Sequence, residues 1–373
     1  GGSDLLDCSI PNDGQPITAD FEEPHGISRF PSPPLQDRNL GDGLETNNFP
    51  DLDDELPIRL AQIENSPDWK RMKDQFPVPT RAELQTISRQ IWAATTRENV
   101  YDGREKDGKS VVILPELAIP HSERRYIKKL ARNSGITVFG GTFWRPLPTA
   151  TRPHHSVTPD RRFLVNEAIL ATPIVTPGES DDLYTTREFR IRKPTPAHFE
   201  KGYARALSDI GHANFQFLPG RKWYRFVHPS WGDFTVGICA DLLDPSPWES
   251  LRGNILHLLL CAFNKDVDLY DSLSWVRAYE NYVNVALTNH GHHGGSFAWS
   301  PRHSHHKEIA KLRGQGLFVV ADVDFPVRGL KQEQIDGTQN AVERARQFWS
   351  DAGDPDKGSF KSPPPGFPGR DDD

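Results

Sequence analysis

The stretch Phe234-Thr-Val-Gly-Ile-Cys239-Ala-Asp241 decides how this chain is read. Five residues of strand-like composition run straight into a cysteine, and Pro245-Ser246-Pro247-Trp248-Glu249 follows as a helix start. Ser246 as N-cap, Pro247 at the first helical position and Glu249 three residues after Ser246 make a capping box. A thiol on a tight strand-to-helix connection is held out of the core, where backbone N–H dipoles favour thiolate. A lone cysteine is more commonly a small buried apolar residue. The functional reading therefore needs other stretches to converge on it.

Working outward, Pro57 to Ile63 reads as a first, alternating strand. Thr80 to Thr96 reads as a helix with Leu84, Ile87, Ile91 and Trp92 on one face and Thr80/Glu83 as a capping box. Lys109-Ser-Val-Val-Ile-Leu114 is a continuous apolar strand running into Pro115-Glu116-Leu117. Ser122 to Asn133 is a helix closed by Gly135, and Ile136 to Gly140 is a strand that leads to Trp144. Leu164 to Val175 reads as a strand pair around Asn166, broken at Pro173, and Phe189-Arg-Ile191 leads into Arg192-Lys193-Pro194. Beyond the cysteine come a buried strand (Ile255–Phe263) and a helix from about Asp271 to Tyr282 with Leu273, Val276 and Tyr279 as its stripe. A strand (Val283–Thr288), a His/Gly loop (His290–Gly295), a last strand (Gly316–Asp324) and a helix over Thr338–Trp349 complete the pass. Strands apolar on both faces that alternate with helices argue an α/β sandwich. A flavodoxin-like parallel sheet is the alternative, and it would set Lys193 far from Cys239.

Glu116, Lys193 and Cys239 each fall just past a predicted strand, where the chain leaves the sheet and reactive groups gather. The three are chemically coherent. A thiolate attacks carbonyl or nitrile carbon, a carboxylate takes the thiol proton and returns it to a departing amine, and an ammonium stabilises the charge that builds.

With these motifs in place, the chain resembles the nitrilase (carbon–nitrogen hydrolase) superfamily over residues 56–326. The resemblance is carried by Pro57-Ile-Arg-Leu-Ala-Gln62, Leu114-Pro115-Glu116-Leu117, Arg192-Lys193, Gly237-Ile-Cys239-Ala-Asp241 with Pro245, Arg277-Ala-Tyr-Glu280-Asn281, Asn289 with Gly291, and Gly294-Gly295-Ser296 with Pro301. It implies a four-layer α-β-β-α sandwich that assembles as a homodimer or higher oligomer, and hydrolysis without metal or cofactor through a covalent acyl-enzyme. Glu116 would be base and then acid, Lys193 the stabiliser of the tetrahedral intermediate and Cys239 the nucleophile. Glu200 would be a supporting carboxylate, and the backbone N–H of Ala240 an oxyanion donor. The substrate would be a small-molecule amide, carbamoyl amide or nitrile, with His292, His293 and Trp144 near it. The chain departs from the family at Ala240, where an aromatic or acidic residue is usual, and at Ser246, where a Glu is usual.

The totals narrow the alternatives. The 373 residues are 25% charged and 36% hydrophobic, which is globular composition. The longest apolar run, Ile255–Phe263, is too short to span a bilayer, and no leader is seen. Three cysteines (Cys8, Cys239, Cys261) cannot form a disulfide framework, which fits a reducing, cytoplasmic setting. Residues 1–55 carry 13 acidic and two basic residues, and residues 351–373 carry six and three, so the remaining body is net +7. No Lys/Arg cluster within it is dense enough to argue for nucleic acid. Residues 1–55 read as an acidic Pro/Gly-rich arm, 327–350 as an extension with a helix, and 351–373 as a disordered tail. The histidines His290, His292, His293, His303, His305 and His306 would suit zinc, but no cysteine is near and no ligand spacing repeats, so exposed loop histidines are the simpler expectation. The aromatic set Trp223, Tyr224, Phe226 and Trp231 reads as packing. A chain opening Gly1-Gly2-Ser3 also suits an excised piece of something longer. The second functional reading is therefore a nitrilase-like assembly or ligand-sensing module of a multidomain protein, for which fusion to a reverse transcriptase in phage defence is one context.

Overall fold

The computed structural model describes residues 52–64, 80–96, 110–147, 161–175, 184–211, 214–221, 223–228, 230–302 and 307–339, together with Phe360, Lys361, Pro363, Pro364 and Phe367. The acidic arm before residue 52, His303, His305, His306 and most of the tail lie outside these.

The strands are β1 (Glu55–Gln62), β2 (Val111–Ile113), β3 (Thr137–Gly141), β4 (Arg145–Pro146), β5 (Arg161–Val165), β6 (Glu167–Val175), β7 (Tyr184–Arg192), β8 (Asn214–Phe217), β9 (Arg225–His228), β10 (Gly232–Ile238), β11 (His257–Ala262), β12 (Asn284–Asn289), β13 (Ser296–Trp299), β14 (Glu308–Leu312) and β15 (Val319–Pro326). The helices are α1 (Arg81–Thr96), α2 (Arg124–Ser134), α3 (His198–Gly211), α4 (Ser246–Leu251), α5 (Val267–Asn281) and α6 (Arg328–Gln339). Two six-stranded sheets form, in the orders β15-β1-β2-β3-β6-β7 and β14-β13-β12-β11-β10-β9, and β4-β5-β8 make a small third sheet. At the centre of each large sheet the strands run parallel: β1, β2 and β3 in one, β10, β11 and β12 in the other.

The sheets face each other across one apolar core. Leu56, Ile58, Leu60, Val111, Ile113, Phe139 and Leu170 of the first meet Phe226, Phe234, Val236, Leu258, Leu260 and Phe297 of the second. Each such side chain contributes about 1.5–3 kcal/mol when fully buried. The outer face of the first sheet is covered by α1 and α2 through Ile87, Ile91, Ile127 and Leu130. The second is covered by α4 and α5 through Trp248, Leu251, Tyr270 and Ala278. The architecture is thus the four-layer α-β-β-α sandwich, and the single parallel sheet is excluded.

Several local expectations change in three dimensions. β1 is buried on both faces after Glu55 rather than on alternate residues, because its sheet has helices on one side and the second sheet on the other. Pro173 does not break β6. It pairs with Thr186, and β3 reaches β6 only as far as Ala171, so the missing N–H faces no neighbour. The α1 capping box is present, with the Thr80 N–H donating to Glu83 (2.5 Å) and the Glu83 N–H to the Thr80 hydroxyl (3.3 Å). The buried stripe of α1 is Ile87, Ile91, Ala94 and Thr95, which leaves Trp92, one step round from Ile91, 55% exposed.

On α5 the buried stripe is Tyr270, Ser274, Ala278 and Asn281, one step off the expected one, and Val276 is exposed. At α4 the Ser246 hydroxyl and N–H both turn to the Asp244 carboxylate (2.6 and 3.0 Å), so Asp244 is the capping acceptor in place of Ser246. Residues 296–299 form strand β13 directly after the His/Gly loop. The helix after β15 begins at Arg328, ten residues early, and residues beyond 339 on that stretch lie outside the described set. The tail is not wholly free, because Phe360 and Phe367 pack on Tyr282, whose hydroxyl donates to the Lys361 carbonyl. The aromatic set before β10 is core packing, as expected: Trp231 and Phe226 are buried, and Trp223 stands edge-on to Trp248.

Candidate active site

Three strand ends deliver Glu116, Lys193 and Cys239 to one buried place. Glu116 lies in the turn after β2. Its Oε1 accepts hydrogen bonds from Lys193 Nζ (2.9 Å) and Asn166 Nδ2 (2.6 Å), and its Oε2 accepts one from the Phe263 N–H (3.0 Å). Phe263 is the first residue past β11, and its carbonyl oxygen is 3.8 Å from Cys239 Sγ, which donates to it. One residue's backbone therefore holds the carboxylate on its nitrogen and the thiol on its oxygen. Lys193, first past β7, is fixed by its own main chain: its N–H donates to the Asn166 carbonyl (2.9 Å) and its carbonyl accepts from the Gly220 N–H (2.7 Å). Nζ also reaches Glu200 Oε1 at 3.1 Å. Glu200 stands in the first turn of α3, where its Oε2 accepts the Ala197 N–H at 2.6 Å. Asn166 Nδ2 donates to Glu200 as well as to Glu116, so one amide ties the two carboxylates together.

The backbone is strained where the reactive groups sit. Leu117 (φ 58°) and Cys239 (φ 47°) are two of the three described non-glycine residues in the left-handed region, each costing about 1–3 kcal/mol. Both conformations turn the chain sharply at a strand end and aim a side chain away from the sheet axis. At Cys239 the turn is stabilised by Asp241, whose carboxylate accepts the Ile238 N–H and the Thr195 N–H, both at 2.9 Å. Asp241 thus ties the Cys239 turn to the loop that follows Lys193. Gly141 is required beside Glu116, because a Cβ there would lie 2.5 Å from the Glu116 Cα.

Electrostatics follow from burial. Burial disfavours the Lys193 ammonium, but Glu116 and Glu200 outweigh it and hold its pKa well above the usual range. Burial raises Glu200; the Lys193 charge opposes that rise and the Glu116 charge adds to it. Burial pushes Asp241 up to about 7. Burial, with the negative charge of Glu116, pushes the Cys239 thiol up to about 12 against the pull of Lys193. The resting group is therefore a thiol beside a carboxylate rather than the thiolate expected from helix dipoles. Desolvation exceeds what a few N–H groups return.

Other expected residues fall at different ranges from this centre. Ala240 is buried at the start of the short helical turn Cys239–Leu243, where first-turn N–H groups have no acceptor within the turn. His293 and His290 each stand edge-on to the Phe263 ring, at 4.9 and 5.0 Å, and His292 stacks edge-on against His293 at 4.7 Å. His290 is fully buried, not an exposed loop residue, and burial lowers its pKa to about 3. Trp144 packs among Phe199, Tyr203 and Phe217 on the α3 side, with Tyr203 one turn beyond Glu200. Among the described residues, no group of three or more His, Cys, Asp and Glu is placed to hold a metal ion. Asn289 holds the loop after Phe263 through the Asn264 N–H (2.9 Å) and carbonyl (2.7 Å). Arg277, Glu280 and Asn281 form a network within α5.

Three contributors were not read from the sequence. Asn166 appeared only as a break between strands, although a lone amide between two apolar runs is a signal of a buried polar duty. Phe263 acts through its backbone, which no side-chain pattern reports. Tyr270 lay one residue outside the predicted helix, and its spacing to Ser274 and Ala278 (i, i+4, i+8) was the available clue.

Solved structures similar to this chain include members of the nitrilase superfamily. An amidase from Nesterenkonia shares 15% identity over 79% of this chain and 97% of its own, with a TM-score of 0.46. Nit3 of Saccharomyces cerevisiae shares 18% over 74% and 92%, also at 0.46. XC1258 of Xanthomonas campestris, a CN-hydrolase superfamily protein, shares 17% over 80% and 97% at 0.45. No protein-family model and no curated protein matches the chain. The weight of the functional reading therefore falls on the geometry of the chain itself.

Proposed function

We propose that this chain is a cysteine-dependent hydrolase of a non-peptide carbon–nitrogen bond, with a small amide or carbamoyl amide as substrate and a thioester acyl-enzyme as intermediate. The observation that carries the reading is the pair of bonds at Phe263, which brings the Glu116 carboxylate and the Cys239 thiol to one residue while Lys193 bridges Glu116 and Glu200.

Glu116 takes the Sγ proton as sulfur attacks the carbonyl carbon, so a thiol that titrates near 12 reacts without first ionising into the pocket. The oxyanion is met by the Lys193 ammonium and the Ala240 N–H. The C–N bond breaks as Glu116 returns the proton to the departing amine. Water then enters, gives a proton to Glu116 and attacks the thioester carbon. The C–S bond breaks, the proton returns to sulfur, and the carboxylic acid leaves. Glu200 and Asn166 fix Lys193 and Glu116 throughout. Since Lys193 and Glu116 already neutralise each other, the added Glu200 carboxylate keeps Nζ charged in a buried site.

The test is amine release from a panel of small amides, carbamoyl compounds and nitriles. Release by the wild type that is lost in Cys239→Ala and Glu116→Gln supports the reading. No release by a folded wild type, across the panel, overturns it and favours the assembly or ligand-sensing module.

A further inference from the structure

Tyr270 closes the first turn of α5, its N–H donating to the Asp266 carbonyl at 3.2 Å. Its side chain is buried, and its hydroxyl lies 3.6 Å from Cys239 Sγ. The direction of that hydrogen bond follows from the other partner of the sulfur. Either atom of this contact can donate; with the S–H on the Phe263 carbonyl, which can only accept, the phenol O–H is the donor to sulfur. The charged groups facing this sulfur are Glu116 and Lys193, and both face the phenol too. Burial and the neighbouring thiol keep the phenol proton on oxygen.

We propose that Tyr270 is a further catalytic residue, a neutral O–H donor that holds the Cys239 sulfur in line and stabilises the thiolate as its proton passes to Glu116. The proposal rests on Cys239 being the reactive nucleophile. No proton of Tyr270 is transferred: the S–H bond breaks, its proton goes to Glu116, and the O–H···S contact becomes a charge-assisted O–H···S⁻ bond. When sulfur bonds to carbon it becomes a poorer acceptor and the contact weakens. When the thioester opens, the contact re-forms on the departing thiolate. Tyr270 thus assists formation of the nucleophile and its departure, while Lys193 and Ala240 serve the oxyanion.

The experiment is the rate of Cys239 alkylation by iodoacetamide as a function of pH, read by intact-protein mass spectrometry, in wild type, Tyr270→Phe and protein carrying 3-fluorotyrosine at 270. A charge-assisted hydrogen bond corresponds to about one pKa unit or more. Tyr270→Phe is therefore expected to slow alkylation about 10-fold at neutral pH and to displace the rising limb of the pH–rate curve toward higher pH. Fluorotyrosine, a stronger donor of nearly the same shape, is expected to move the limb the other way. A residue that only fills space leaves the limb where it is. An unmoved limb in both proteins overturns the proposal, and the fluorotyrosine protein decides alone if Tyr270→Phe does not fold. This readout is independent of turnover. A displaced limb with no amide hydrolysed overturns the hydrolase reading and leaves Tyr270 in its role. Amide hydrolysis with an unmoved limb does the reverse.

Discussion

Replacing Lys193 with methionine tests the electrostatics of the site most severely. The side chain is 3% exposed and bonds Glu116 at 2.9 Å and Glu200 at 3.1 Å. Methionine fills much of the volume but leaves two buried carboxylates facing each other through one asparagine. Breaking a buried ion pair by removing one partner costs about 3–5 kcal/mol at neutral pH. The cost should depend on pH in a definite direction. Burial already holds Glu200 above its ordinary range, and Lys193 is the main charge opposing that rise. Without it the folded-state value climbs further above the unfolded value of about 4.3. Between those two values the folded state binds the extra proton, so stability falls as pH rises, by about 1.4 kcal/mol per pH unit for this one group. Lys193 itself contributes no slope there, because its raised pKa keeps it charged in both states well past neutral pH. Urea unfolding of wild type and Lys193→Met at pH 5.5 and pH 8 should give a larger loss at pH 8. An equal loss at both values would refute the claim that the cation compensates buried charge.

Further outcomes follow from single contacts. Asp241→Asn keeps one acceptor for the Ile238 and Thr195 N–H groups but not both, so it should cost about 1–3 kcal/mol and slow alkylation of Cys239. The wild-type Asp241 carboxyl, raised to about 7, makes stability fall as pH rises from about 4 to about 7, and the asparagine variant should lack that slope in urea unfolding. Gly141→Ala would press its Cβ to 2.5 Å from the Glu116 Cα, so it should destabilise by about 1–3 kcal/mol in urea unfolding and slow Cys239 alkylation in the folded protein, while alkylation of the unfolded chain stays unchanged. Phe367→Ala empties a buried position against Tyr282 and should cost about 3 kcal/mol, which denaturant unfolding would detect; no loss would show that the tail is not part of the fold.

The sandwich was legible because its central strands are apolar on both faces, a pattern seen at Val111–Ile113 and His257–Ala262 and rarely produced by anything but a covered sheet. Glu116, Lys193 and Cys239 stood out as candidates because each falls just past a predicted strand. The edge and hairpin strands β4, β13 and β14 were not legible: they hold two to five residues and take their conformation from neighbours rather than from pattern. The α5 stripe was misjudged by one step because Val276 is apolar yet exposed, while Ser274 and Asn281 are polar yet buried, and hydrophobicity alone reads them in reverse. The protonation state of Cys239 was also missed. Sequence spacing shows dipoles near a thiol but not how completely water is excluded from it. Asn166 and the Phe263 backbone came into view only when strands distant in sequence were brought together.

The central claim, that Glu116 activates Cys239, is tested most directly by the rate of iodoacetamide labelling at Cys239 in folded wild type, Glu116→Gln and the urea-unfolded chain. The account predicts one fast label in the folded wild type, mapped to Cys239, slowed in Glu116→Gln and faster than in the unfolded chain at the same pH. Labelling of Cys239 in the folded protein no faster than in the unfolded chain, and indifferent to Glu116, would contradict it.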